Sequence, residues 1–506
     1  MNRTKIFADA NLTIGRISPK LYGSFIEHLG RAVYEGIYEP THPTADENGF
    51  RRDVISLIQE LHVPIVRYPG GNFVSGYNWR DGVGPKALRP TRLDLAWHTT
   101  EPNLFGTDEF MKWCQISGIE PMMAVNMGTG TIQDAAQLVE YCNHEGGTQI
   151  SEWRKANGAI TPYHVRYWCL GNEMDGDWQI GHLTAEEYGK KARAAARAMR
   201  WANGETGDKL QTATPLKLIV SGSSNPDMDS YPEWDRVVLE HTYDQVDFLS
   251  MHRYYEYGGN LEDFLASPTD MHDFIGTLRA TIEYVRAKVR SKKQVKISFD
   301  EWNIWTQTAP RREPLWKEAP HLLEDIYTYR DALVFAGLMN TLLNNCDAVV
   351  LGCLAQLVNV IAPIMTQKGG GAFKQTTFYP FREIAGKAHG ETVRTFSDSD
   401  SFASRYGQAK YINEAITHDR ENRRVCVSLC NYSQSKREVE LELRSFGALK
   451  AVRHVQMCES DLGAVNSFTQ PERVTLKEME LPAVKGGSKA VIKLPALSWS
   501  FLEFIY

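Results

Sequence analysis

The sequence predicts an α/β protein: a (β/α)8 barrel of the TIM type, followed by an antiparallel, jelly-roll-like β-sandwich. Three observations carry this expectation. From about residue 20 to residue 385, short apolar, β-rich runs alternate with longer helical patterns. Eight such strand–helix units fit a closed barrel better than an open sheet, which usually has about five or six strands. Beyond residue 390 the period drops to two, as in KREVELEL (Lys436–Leu443), the pattern of a half-buried strand.

The expected barrel strands are Leu21–His28, Ile65–Gly70, Pro121–Met127, Val165–Glu173, Leu218–Gly222, Val246–His252, Val295–Glu301 and Ala348–Leu354. Their near-continuous apolar character fits a parallel sheet covered on both faces. The helices expected between them are Asp53–Leu61, Asp108–Ser117, Ile132–Asn143, Ala185–Trp201, Pro232–Tyr243, Met271–Val289 and Leu323–Asn344. Thr184 followed three residues later by Glu187 is a capping box for the fourth. In the sandwich, Arg424–Leu429, Lys436–Leu443, Arg473–Met479 and Ala490–Leu494 read as strands. The N-terminal Lys5–Ile14 also reads as strand and precedes the first barrel strand, so it is expected to join the sandwich. The division is then a barrel over 18–385 and a sandwich built from 1–17 plus 386–506.

Composition narrows the function. At 42% hydrophobic and 23% charged residues the chain carries enough apolar material for a large core. A net charge of −6 argues against nucleic acid or an anionic membrane as the main partner. No apolar leader precedes the first strand, and the longest apolar stretch, Ala348–Ala355, is far short of a membrane span. The eight cysteines form no C-x-x-C pair, zinc site or disulfide framework, so a cytoplasmic, thiol-containing protein is expected.

In such a barrel the active site forms at the C-terminal ends of the strands. Those ends carry Glu27 and His28, then Arg67 through Asn72, Asn126, Asn172 and Glu173, His252 through Tyr254, Asp300 through Asn303, and Gln356. Carboxylates, amides and aromatics without a His/Cys cluster suit a neutral, polyhydroxylated ligand. Glu173 and Glu301 end strands four and seven, from where both can point into one mouth. Paired carboxylates about 5–5.5 Å apart are what a retaining glycosidase needs. Arg67 is expected to hold a carboxylate there, Glu301 first among them.

The segments WCLGNE (Trp168–Glu173) and DEWNIW (Asp300–Trp305) resemble the acid/base and nucleophile motifs of glycoside hydrolase family 51. YGSFIEHLGRAVYEGIYEP (Tyr22–Pro40), RYPGGNFVSGYNWRDGVGP (Arg67–Pro85), SMHRYYEYG (Ser250–Gly258) and AQLVNVIAPI (Ala355–Ile364) extend the resemblance across the barrel. It implies an α-L-arabinofuranosidase with Glu173 as acid/base and Glu301 as nucleophile. It further implies sugar contacts from Glu27, Asn72, Asn172, His252, Tyr254 and Gln356, and aromatic walls from Trp97 and Trp305. It implies no cofactor and no metal, arabinofuranosyl oligosaccharides as substrates, and a homohexamer.

Other readings are weaker. A β-xylosidase or endo-β-glucanase of the same clan would share the mechanism. A sugar isomerase or lyase would need clustered metal ligands that the strand ends lack. A non-catalytic carbohydrate-binding barrel would not need both glutamates. The glycines Gly128 and Gly130 lack the third glycine and acidic partner of a dinucleotide loop.

Overall fold

The computed structural model describes residues 2–206, 209–210, 214–307 and 314–506. A long strand, β1 (Asn2–Arg16), opens the chain. Eight parallel strands then close into a barrel: β2 (Gly23–Phe25), β3 (Ile65–Tyr68), β4 (Glu120–Val125), β5 (Tyr167–Leu170), β6 (Lys217–Val220), β7 (Phe248–Tyr255), β8 (Lys296–Ile304) and β9 (Val349–Leu354). The eight strands fall where the sequence places them, with most ends trimmed by a few residues and β7 and β8 running three residues further. Glu27 and Glu173 therefore stand on the loops just past β2 and β5 rather than on the strands.

Alternation within each strand separates two cores. Ile65, Met122, Ala124, Tyr167, Cys169, Ile219, Leu351 and Cys353 fill the barrel's interior. Their neighbours Val66, Tyr68, Met123, Trp168, Leu170, Leu218 and Val220 pack outward against the helices. Both faces are buried, which is why these strands read as unbroken apolar runs.

The helices are α1 (Arg52–Glu60), α2 (Thr107–Ser117), α3 (Ile132–Asn143), α4 (Gln149–Ala156), α5 (Ala185–Ala202), α6 (Glu233–Thr242), α7 (Leu261–Leu265), α8 (Ser267–Lys288), α9 (Tyr329–Asn344) and α10 (Phe378–Lys387). On α5, Tyr188, Ala192, Ala195, Ala196 and Met199 form one buried stripe, and its capping box at Thr184 and Glu187 is present. The last helix expected before strand eight starts six residues late. Leu323 has φ of +52°, outside the helical range, and the helix begins after Thr328, whose side chain caps it. The short α4, α7 and α10 have no counterpart in the sequence reading.

Apart from four short two-stranded hairpins among the described residues, the other strands are β10 (Glu391–Ser397), β11 (Ile412–Asp419), β12 (Arg424–Asn431), β13 (Arg437–Arg444), β14 (Lys450–Cys458), β15 (Lys477–Glu478), β16 (Lys489–Leu494) and β17 (Ser498–Ile505). They form one nine-stranded sheet in the order β15-β14-β17-β12-β11-β10-β1-β13-β16. Its two halves share a core of Ile6, Val393, Ile416, Val427, Leu441, Ile492, Leu502 and Phe504, so the sheet curls over itself into a sandwich. Register shifts in β1 between Ala8 and Gly15 supply the bulged corner. All pairings are antiparallel except one: β1 runs parallel to β13. Arg473–Met479 is mostly loop, with only Lys477–Glu478 paired: Val474 is buried and Leu476 packs on the core, but the burial does not alternate, and Lys477 to Met479 stay exposed. The outer face of the sheet packs on α9 and α10, where the Tyr432 ring fills the space above Gly337 and leaves no room for a Cβ.

Candidate active site

The two glutamates meet because of a bulge. Ser250 of β7 faces Ser298 of β8, but His252 faces Glu301, so β8 carries one extra residue in between. On an unbroken strand Asp300 and Glu301 would point to opposite sides. Here both turn into the barrel: Asp300 is buried at its floor, and Glu301 stands in the mouth. Glu173 enters from the loop after β5 with φ of +43°, and Met174 N–H donates to Ser221 Oγ at 3.4 Å beside it. One oxygen of Glu173, one of Glu301 and a ring nitrogen of His252 all lie within 4.8 Å of one another.

Arg67 Nη1 donates to Glu301 Oε1 at 2.7 Å, and Tyr254 Oη donates to Glu301 Oε2 at 2.8 Å. Both oxygens of the carboxylate are thereby fixed by donors. Arg67 also donates to the side-chain oxygen of Asn172, whose amide donates onward to Gln179 Oε1 at 3.4 Å. His252 Nδ1 bonds Glu173 Oε1 at 2.9 Å, and Trp178 Nε1 donates to Glu173 Oε2 at 2.7 Å. Burial alone would push the imidazole down, but Glu301, Asp300 and Glu173 around it raise its pKa to about 10. Asp300 shows the converse: burial raises it, and Arg67 and His252 overcome that and hold it below its ordinary value. The floor of the site is thus a lattice of alternating charges, Arg67 and His252 positive, Asp300 and Glu301 negative.

Glu27 has a different state. Its Oε1 accepts from Phe73 N–H at 2.9 Å and Trp97 Nε1 at 3.0 Å, and Gln356 Nε2 reaches Oε2 at 3.3 Å. Burial, with the nearby Glu301, raises its pKa to about 8 despite those donors, so it is a neutral acid at pH 7. Gly71 explains the glycine pair of the β3 loop: a Cβ there would sit 3.1 Å from Glu27 Oε2 and 3.2 Å from Glu301 Oε1.

These side chains line one cavity of about 610 Å³, walled by Asn72, Trp97, Trp178, Trp305 and Gln356 around the two glutamates. Of the residues expected from the sequence, Glu27, Asn72, Trp97, Glu173, Tyr254, Glu301, Trp305 and Gln356 line it, and Arg67, Asn172 and His252 brace the glutamates. Trp305 packs edge-on against Tyr254, with centroids 5.6 Å apart. Trp97 is presented by a short hairpin whose turn is stapled by Asp94, which accepts from Ala96 N–H at 2.9 Å and Trp97 N–H at 3.2 Å. His28 lies behind the site, bonded to Glu101 at 2.8 Å and Tyr68 at 2.7 Å, with its ring stacked on Phe73. Asn126 turns away and organises its own loop, accepting from Gly128 and Gly130 N–H. Sequence reasoning missed Trp178, Gln179 and Ser250, and placed Asp300 at a strand end without giving it a role. Trp178 carried a usable signal, as an indole in a turn-rich loop five residues past a strand-end carboxylate.

Glu173, His252 and Glu301 are the one His/Cys/Asp/Glu group among the described residues with metal-holding spacing. Its donors are already committed: Glu301 to Arg67 and Tyr254, Glu173 to Trp178, and His252 as a protonated ring that donates rather than ligates.

Residues 57–261 match the family description "Alpha-L-arabinofuranosidase 1 domain", and residues 300–498 match "Alpha-L-arabinofuranosidase C-terminal domain". An intracellular exo-α-(1→5)-L-arabinofuranosidase 1 of Bacillus subtilis is 44% identical over 99% of each chain. The chain belongs to glycoside hydrolase family 51, the α-L-arabinofuranosidases. An exo-α-(1→6)-L-arabinofuranosidase of Bifidobacterium longum, another relative of this family 51 chain, is 44% identical over 99% of this chain and 97% of its own. Among solved structures, a family 51 α-L-arabinofuranosidase from Bifidobacterium longum superposes with a TM-score of 0.93 at 41% identity, covering 99% of both chains. The arabinose complex of the Thermotoga maritima enzyme gives 0.88 at 31% identity, over 99% of this family 51 chain and all of the other.

Proposed function

We propose that this enzyme frees terminal, non-reducing α-L-arabinofuranosyl residues from arabinan- and arabinoxylan-derived oligosaccharides, acting from the chain end with retention of configuration. The observation that carries the reading is the Glu173–Glu301 pair, with oxygens within 4.8 Å inside one aromatic-walled cavity. That spacing fits direct attack by a carboxylate and leaves no room for the water of an inverting mechanism. Glu301, held by Arg67 and Tyr254, attacks the anomeric carbon while Glu173 protonates the leaving oxygen. Glu173 then takes a proton from water, which cleaves the glycosyl ester and frees the sugar. Both proton transfer and nucleophile come from side chains, so the scheme uses no cofactor.

Glu27, as a neutral acid, donates to a sugar hydroxyl, and Asn72, Asn172 and Gln356 supply amides around the ring. Trp97, Trp305 and Tyr254 wall it, while His252 braces Glu173. The names of the relatives support arabinan-type linkages and an intracellular setting, so we extend the reading to cytoplasmic action on imported oligosaccharides. Family membership adds a homohexamer, and the division into 18–385 and 1–17 plus 386–506 belongs to the same proposal.

Initial rates on aryl α-L-arabinofuranoside, β-xyloside and β-glucoside test the specificity, and a β-pyranoside preference would overturn it. Glu301→Ala should lose nearly all turnover and regain it with azide as glycosyl azide. Retained activity, or no rescue, would remove Glu301 from its role.

A further inference from the structure

The cavity is too large for a single pentose, since volumes of about 300–1,000 Å³ hold drug-sized ligands. Its inner end is the glutamate cluster. Its outer wall carries Asn225, Asp227, Arg253, Glu256, Gln307 and Arg405. Most of these polar groups are committed to one another. Arg253 donates to Asn225 Oδ1 and Asp227 Oδ2, both at 2.7 Å, and to Asp270 Oδ2 at 2.9 Å. Gln307 Nε2 donates to Glu256 Oε2 at 2.8 Å.

Arg405 differs in origin and in state. It comes from beyond the barrel, on the turn between two short strands, Ser401–Ser404 and Gly407–Lys410. The turn is built to stand rigidly. Ser404 Oγ accepts from Tyr406 N–H at 3.2 Å and donates to Gly407 O at 2.9 Å, and Gly407 adopts a φ of +91°. Arg405 N–H donates to Asp263 Oδ1 on α7 at 2.7 Å, which docks the turn onto the barrel. Its guanidinium lies over the Tyr406 ring and donates to that hydroxyl, and it has no carboxylate partner among the described residues. Asn225 accepts from Asp227 N–H and from Arg253 through Oδ1, and its amide Nδ2 has no protein acceptor among the described residues.

The geometry points to Arg405 as a specificity-determining residue that binds the leaving side of an oligosaccharide substrate, with Asn225 as the second donor. A guanidinium presents several donors in one plane and suits the paired hydroxyls of a sugar lying past the scissile bond. This inference rests on the arabinofuranosidase reading above. It adds that the sheet domain, through one turn, selects oligosaccharides over small leaving groups.

The contact lies outside the bond being broken, so it is made equally in the ground and transition states and acts on KM. Arg405→Ala should raise KM for α-1,5-arabinotriose about tenfold, leave kcat unchanged, and leave both constants for aryl α-L-arabinofuranoside at wild-type values. Arg405→Lys, which keeps the charge, should restore part of the loss. Unchanged KM for arabinotriose would overturn the inference. So would an equal loss on both substrates, which would mean a structural role for the turn. Absence of aryl arabinofuranosidase activity in the unmutated enzyme would instead overturn the reading on which this one rests.

Discussion

Glu27 should cost the protein stability at neutral pH, and Glu27→Gln should recover it. The carboxyl is buried, and its pKa rises from 4.5 to about 8 on folding. Between those two values the unfolded chain releases the proton and the folded chain keeps it. The folded state therefore binds more protons, and stability falls as pH rises through that window. From 4.5 to 7, at about 1.4 kcal/mol per pH unit, the cost at pH 7 comes to about 3 kcal/mol. Glutamine is neutral throughout and keeps an acceptor for Phe73 N–H and Trp97 Nε1. Its amide would oppose the Gln356 Nε2 that now sits 3.3 Å from Oε2, a local mismatch worth about 1 kcal/mol.

The expected net gain for Glu27→Gln is thus about 2 kcal/mol at pH 7, shrinking to nothing or slightly below by pH 5. Urea unfolding midpoints of both proteins at pH 5, 6, 7 and 8, with equal m-values, would measure it. The signature is the slope: the difference between variant and wild type must grow with pH. A difference that is constant across pH would refute the neutral-acid assignment, even if the variant were more stable.

Other changes probe the same lattice. Tyr254→Phe removes the 2.8 Å donor to Glu301 and should lower kcat about ten- to a hundredfold with the fold intact, checked by circular dichroism and steady-state rates. Asp300→Asn deletes one of the anions that keep His252 charged, so the pH above which kcat/KM falls should move down, readable from the pH–rate profile. Its melting temperature should fall as well, because Arg67 loses a buried counter-charge. Asp94 has its pKa raised to about 6 by burial, against the backbone donors of its own turn. Asp94→Asn should loosen the Trp97 turn and raise KM for arabinofuranosides about threefold to tenfold, and Trp97→Phe, which loses the bond to Glu27, should do much the same.

What could be read from the sequence was what repeats at fixed period or stands in a dense motif. The eight barrel strands were legible because both faces of each are buried, which leaves unbroken apolar runs. Glu173 and Glu301 were legible from strand-end position. The bulge in β8 was not, because nothing local marks Asp300 as sharing a face with Glu301; that depends on register with β7. Trp178 and Gln179 belong to a loop whose path follows from packing beyond its own residues, and Gly181 within it lies against Gly128. Arg473–Met479 misled because alternation alone does not say whether a neighbouring strand exists to pair with. The start of α9 was obscured by Leu322 and Leu323, which are buried by the loop they lie in rather than by a helix.

The position of β1 also has a consequence for how the molecule is made. It lies inside the terminal sheet, bonded on one side to β10 and on the other to β13. During synthesis β1 therefore waits until about three-quarters of these 506 residues have followed it before either partner exists. Synthesis at about 5–20 residues per second makes that delay some tens of seconds. Throughout it, a 15-residue strand carries two unpaired edges while the barrel behind it is able to close. Nascent chains of this protein are most exposed to faulty association at β1, and a chaperone that shields this strand would protect the last step of assembly.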